Sequence, residues 1–418
     1  MNGNDCKTGV SLLKLGQAPG NGELIRRITV GADDLAGFIK EKYFADYIAL
    51  GGSKIKFVTG KAGSGKTHFL QLLSLAAKEL GFTVVGFSAK DVWLHDFGEI
   101  YSEIVKGSDL TLCLGKCAEK IVNGLGYDFS EIGARGQGTF ADYLSSIGEF
   151  DALIKREIRN QLRAMFLKNP LLDNNFAIAV SLLTGGILGC PVLESASGDM
   201  LLSWLMGGKD INLRALRGLG LSPAKITRHN ARHMLRSLAE VHRIASVPGI
   251  VVMIDNTEIL VRSTSLDPVR YTRLKREDAY ESIRELIDEI DTMGNLMFFY
   301  AFDRELIDNE LFGIKSYQAL WMRVQNEIVS DRFNRFTDII DLDRLWAAEL
   351  TEENLLELSG RVAEAVNEHS GGAARISGEM ASRILSKAGY AKTSLPRQTV
   401  LATTGSDYGT GDLDNDGF

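Results

Sequence analysis

Ile55 to Thr59, Phe82 to Phe87, Gly249 to Asp255 and Leu296 to Ala301 are short, nearly unbroken apolar runs set off by turn residues, the pattern of strands covered on both faces. A fifth short strand is predicted at Thr337 to Leu342. Between the runs, apolar positions recur at helical spacing. This holds for Ala32 to Leu50, for Phe69, Leu70, Leu72, Leu73, Leu75 and Ala76 up to the stop at Gly81, and for the charged stretch Asp278 to Met293. Strands alternating with helices predict a parallel, right-handed α/β sheet.

The alternation is interrupted between Glu99 and Val241, where the pattern is mostly helical and broken by the glycine-rich turn Gly133 to Gly138 and by Asn169-Pro170. That stretch is too long for a loop and predicts a helical insertion at about 99–241. Beyond the last strand, Thr351 caps a helix with Glu352 and Glu353 in its first turn, Ser370-Gly371-Gly372 ends it, and a further helix is expected from Ala373 to Ala388. The resulting organisation is an N-terminal tail at 1–20, a main domain at 21–345 with its insertion, a helical lid at 346–404 and a disordered, Gly- and Asp-rich tail at 405–418.

A chain of 418 residues exceeds one typical domain, and its 45% apolar content is enough for a sizeable core. The net charge of -7 excludes a molecule that coats nucleic acid over its whole surface, so any such contact has to come from a local patch. Cys6, Cys113, Cys117 and Cys190 lack paired metal-ligand spacing and are expected to be idle thiols in a reducing cytosol. Met1 to Gly20 lacks the charged-then-apolar pattern of a signal, so no secretion is expected, and the longest apolar stretch, Phe176 to Val192, is broken by glycines and short for a membrane span. It predicts a buried helix and turn.

Gly60-Lys61-Ala62-Gly63-Ser64-Gly65-Lys66-Thr67 fits GxxxxGK[ST] at every specified position, with a strand before it and a helix after it. The glycines allow a tight loop whose amides point at phosphates, and the helix adds its positive dipole end. Lys66 is expected to neutralise the β- and γ-phosphates, Thr67 to place its hydroxyl on Mg²⁺, and His68 to flank the cradle. Asp255, closing an apolar strand, is the candidate second ligand of that ion. Asn256 follows it, where many ATPases of the AAA+ kind carry Glu as the group that polarises the attacking water, and an amide cannot take up that proton. Glu258, two residues on, is the alternative carboxylate; slow hydrolysis, or a binding switch, stays open.

Asp303 and Arg304 fall where AAA+ proteins sense the γ-phosphate, or lie in a solvated loop. Arg323, Arg375 and Arg397 are candidates for reaching phosphate, Arg323 as a finger given to a neighbouring subunit and Arg397 as a lid arginine. Arg214, Arg217, Lys225, Arg228, Arg232 and Arg236 lie in a stretch, Ile211 to Ala239, without any Asp or Glu. The i, i+4 spacing of Arg228, Arg232 and Arg236 puts them on one helix face, able to grip a phosphate backbone or to pair with acidic parts of the chain. A second cluster, Arg270, Arg273, Lys275 and Arg276, could line the same groove.

The combination of Gly60 to Thr67, Leu213 to Gly218, Asp255 to Glu258, Ala279 to Asp288 and Tyr317 to Arg323 resembles the BrxC- and BrxD-related ATP-binding proteins of BREX-type bacterial phage defence, near the Orc/Cdc6 and STAND branches of AAA+. The similarity covers most of Asn21 to Leu401. It implies an AAA+ core with a helical lid, ATP and Mg²⁺, DNA association and partner proteins of the same defence system; a homo-oligomer is expected from Arg323 as a finger given to a neighbouring subunit, and a cytoplasmic location from the idle thiols. Asp-Glu usually stands at the strand end in that family, so Asn256 departs from the pattern. Two other expectations remain: a STAND-like nucleotide switch with negligible hydrolysis, and a loader or transposition-type regulator.

Overall fold

A computed structural model describes residues 3–134, 138–263, 267–325, 334–387 and 393–405. Its centre is a five-stranded, wholly parallel sheet in the order β2-β3-β4-β1-β5, made by Ser53–Gly60 (β1), Thr83–Ser88 (β2), Ile250–Asp255 (β3), Leu296–Asp303 (β4) and Ile339–Asp341 (β5). Each predicted strand is present, with its ends moved by a residue or two. The apolar runs lack polar alternation because both faces are covered: all eight residues of β4 are buried.

The two faces feed two cores, as the period of two requires. Phe298, Tyr300 and Phe302 point with Phe57, Val252 and Ile254 into a large core shared with the helices between β2 and β3. Met297, Phe299 and Ala301 point with Val58, Val251 and Met253 toward the helix Lys66–Glu79 and the segment Asp33–Ile48. Each buried aromatic or branched side chain contributes roughly 1.5–3 kcal/mol, which makes the sheet a rigid platform for whatever its strand ends hold.

Helices from Phe97–Gly107 to Ala231–Ile244 fill the interval between β2 and β3. The apolar stretch expected as a buried helix and turn is the helix Asn174–Leu188, stopped by Gly189 at φ 74. Among the described residues no helix is long and apolar enough to cross a membrane. Cys113 and Cys117 are buried, and burial pushes their thiols up to about 11 and about 12, which makes them poor nucleophiles. Cys190 is also free and buried.

Two segments differ from the expectation. Residues Gly3–Lys14, read as a tail, form a helix whose Val10 and Leu13 pack with Leu24 and Ile28 against Leu358, Val362 and Val366. The packing partner lies some 350 positions away, so local polarity hid it. The helix expected from Ala373 begins at Gly378 instead, because the preceding residues bond elsewhere. Ala374 N–H donates to the Thr403 carbonyl and Ile376 N–H to the Ser359 hydroxyl, which holds the chain extended until Ser377 caps Met380. The expected disordered tail lies, beyond Gly405, outside the described residues.

Candidate functional site

Parallel strands bring their carboxyl ends to one edge, and here the register lines up Gly60 with Asp303 and Ser88 with Asp255. The loop after β1 turns back through Gly63 and Gly65, at φ 78 and 87, left-handed values that a side chain resists. A Cβ on Gly60 would meet the Ser64 hydroxyl at 2.4 Å, and one on Gly63 would meet Arg397 at 2.5 Å. Only glycine fits this cradle.

The helix Lys66–Glu79 starts from the loop and aims its unpaired N-terminal amides at it. Lys66 folds back across it, with Nζ donating to the carbonyls of Gly60 and Lys61 at 3.1 and 3.0 Å and lying 2.6 Å from Asp303 Oδ1. The Thr67 hydroxyl donates to Asp255 Oδ2 at 2.6 Å, although the two residues are 188 positions apart. These are hard oxygen donors of the kind that Mg²⁺ takes. Ser64 Oγ and Thr59 Oγ1 are buried without a hydrogen-bond partner among the described residues. A polyphosphate fits this set: amides at a helix start, an ammonium, and two oxygens for a cation.

Asn256 has φ 59, a conformation Asn adopts more readily than most residues. Its backbone N–H donates to Asp255 Oδ1 at 2.8 Å and its amide to Ser88 Oγ at 3.2 Å. The turn therefore selects for Asn sterically, and the amide ties β3 to β2. Glu258 reaches back to the same strand ends, where its Oε2 accepts the Asp303 N–H at 3.2 Å. Burial, and then the neighbouring Asp303 carboxylate, raise its pKa above the ordinary Glu value.

A second group of residues clasps the loop from the C-terminal helices. Asp343 Oδ2 accepts the Lys61 N–H at 2.6 Å and its Oδ1 the Ser394 hydroxyl at 3.0 Å; the Ser394 N–H donates to the Ala62 carbonyl, and Trp346 Nε1 donates to the Ser64 carbonyl at 2.7 Å. His68 is bonded to the Thr29 hydroxyl at 2.8 Å, and burial pushes its pKa down to about 4. Sequence reasoning found none of Thr29, Asp343, Trp346 or Ser394. For Asp343 a signal existed, since β5 ends in carboxylates on the same edge as Asp255.

Of the candidate arginines, Arg397 lies on the loop: with Gly63 to His68 it lines a cavity of about 400 Å³ whose other walls are mostly apolar, including Leu12, Val30, Pro396 and Val400. Its Nε is buried without a hydrogen-bond partner among the described residues. Arg323 instead pairs with Asp288 of its own chain at 2.5 Å, and Arg375 lies along Gly360. Arg304 is held by Asp341. The three-arginine face is corrected by burial. Arg228 precedes the helix, which starts at Ala231, and Arg232 is 9% exposed and pairs with Glu285. A charge at i, i+4 spacing had turned inward to an acidic helix. Arg214, Arg217, Lys225 and Arg228 remain exposed.

A parallel α/β sheet with a glycine loop, a lysine and a helix start at its carboxyl edge defines a protein of the P-loop class. The chain belongs to the family described as BREX system ATP-binding protein BrxC/D, which matches residues 5–402 of the 418. No curated protein and no solved structure matches it.

Proposed function

We propose that this protein binds ATP with Mg²⁺ in the cradle Gly60 to Thr67 and hydrolyses it slowly, as an AAA+-type member of its defence system in the cytoplasm. The observation that carries this reading is the Lys66, Thr67 and Asp255 constellation, assembled at 2.6 to 3.1 Å from two distant segments. Lys66 and the loop amides would hold the phosphates, Thr67 and Asp255 the cation, and Arg397 would reach the loop from the C-terminal helices. The strand order, with β1 between β4 and β5, and the helices clasping the loop support an AAA+ core with a lid. Bound magnesium would supply charge neutralisation at the phosphates.

Glu258 is the carboxylate we assign to water activation, since it stands at the strand ends beside the loop, where its Oε2 accepts the Asp303 N–H and burial raises its pKa. Phosphate release by the purified protein, lost in both Lys66→Ala and Glu258→Gln, tests this assignment. Binding without any release in the wild type would leave the STAND-like switch as the function.

Exposed Arg214, Arg217, Lys225 and Arg228, in a stretch without acidic residues, favour a second element, contact with DNA or with partner proteins of the defence system. Reversing these four charges should lower DNA affinity in an anisotropy titration and flatten its salt dependence. Use of Arg323 as a finger in a homo-oligomer requires its pair with Asp288 to open. Mass photometry with and without ATP tests that assembly, and a strict monomer under both conditions removes the finger.

A further inference from the structure

The residue at the end of β4, beside the phosphate loop, is a carboxylate paired with two cations. Asp303 offers one oxygen to each of two cations: Oδ1 lies 2.6 Å from Lys66 Nζ and Oδ2 lies 2.6 Å from Arg262 Nη1. The pair with Lys66 is nearly buried, both side chains being 13% exposed or less, whereas Arg262 is half-exposed and is also bound by Glu305. Asp303 is further fixed through its backbone, which donates to Glu258 Oε2, so a second carboxylate stands alongside it.

We infer that Asp303 determines how strongly this site prefers a nucleoside diphosphate or triphosphate, by competing with the terminal phosphate for Lys66; the inference rests on the nucleotide reading above. A loop lysine of this kind reaches the β- and γ-phosphates, so the ammonium that Asp303 holds is the one a third phosphate needs. The third phosphate also brings its negative charge toward Asp303 and Glu258 in a weakly screened place, where like charges repel strongly. The diphosphate carries less charge to that point. Asp303 can yield Lys66 without being left unpaired only because Arg262 already holds its other oxygen. The arrangement thus sets a penalty on ATP through Asp303 and a relief of that penalty through Arg262, a residue on the short helix Ile259–Arg262 that follows β3.

Calorimetric titration of the full chain with ATP and with ADP, each with magnesium, tests the pair. Asp303→Asn keeps the shape and removes the charge; it should bind ATP roughly tenfold more tightly, with a change of less than about threefold for ADP. Arg262→Ala should move in the opposite sense, weakening ATP by roughly tenfold and ADP much less. Thermal unfolding confirms that each variant is folded, and Arg262→Ala, at a surface position, carries the test if Asp303→Asn does not fold. An unchanged or weaker ATP affinity in folded Asp303→Asn, equal shifts for both nucleotides, or no selective loss in Arg262→Ala overturns the inference while leaving nucleotide binding intact. A wild-type protein that takes up neither nucleotide overturns the nucleotide reading and this inference with it.

Discussion

Trp346 donates its indole N–H to the carbonyl of Ser64, so a side chain from the C-terminal part of the fold fixes the turn of the phosphate loop. Both groups are buried, which means that the carbonyl has no water to fall back on. Trp346→Phe keeps most of the ring volume and strands that carbonyl. It should cost about 1–3 kcal/mol. The readout is the denaturant midpoint at constant slope, and a midpoint equal to that of the wild type would mean that the bond adds nothing.

Lys66→Ala removes the ammonium that the loop carbonyls and Asp303 position. Loss of a charged hydrogen-bond donor predicts a fall in ATP affinity of roughly ten- to a hundredfold. Asp255→Asn and Thr67→Ala should act differently, abolishing the part of the affinity that depends on magnesium while sparing the part seen in EDTA. Equal magnesium dependence in wild type and Asp255→Asn would remove Asp255 from the cation site.

The geometry separates Asn256 from Glu258. Because Asn256 sits at φ 59, Asn256→Glu forces a long side chain into a left-handed backbone at a cost on the order of 1 kcal/mol, and Asn256→Gly does not. Glu258→Gln should leave ATP binding in place and lower the phosphate-release rate by roughly a hundredfold or more. An Asn256→Glu protein that hydrolyses ATP faster than the wild type would show that a carboxylate at position 256 serves the attacking water better than Glu258 does.

His68 makes stability depend on pH below neutrality. Its folded pKa of about 4 lies below the ordinary His value, so between about pH 6.5 and 4 the unfolded chain binds a proton that the folded chain refuses. Stability from this group is complete above about pH 6.5 and is lost as pH falls through that window, by about 3 kcal/mol at most. Unfolding free energies of wild type and His68→Gln, measured from pH 7 to 4, should converge by that amount. Parallel curves would show that His68 titrates normally.

The strands, the glycine loop and Asp255 were legible because each is encoded locally: continuous apolar runs, a fixed spacing, a carboxylate at a strand end. What escaped was set by packing between distant segments. Asp343, Trp346 and Ser394 meet the loop only because the C-terminal helices fold over it, and nothing at those positions announces a partner some 280 to 330 residues away. Arg232 shows the opposite failure, in which the spacing was right and the direction was not. Its helix buries Leu235 and Leu238, and Arg232 goes with them toward Glu285. Asp303 was read as either a sensor of the terminal phosphate or a residue of a solvated loop, and the sequence held no sign that its carboxylate pairs with Lys66.

The cavity beside the loop has walls from both extremes of the chain, Leu12 and Leu13 on one side and Pro396, Arg397 and Val400 on the other. During synthesis the glycine loop leaves the ribosome more than three hundred residues ahead of Pro396, Arg397 and Val400. A nascent chain can therefore display the loop long before those three residues arrive to wall the cavity beside it.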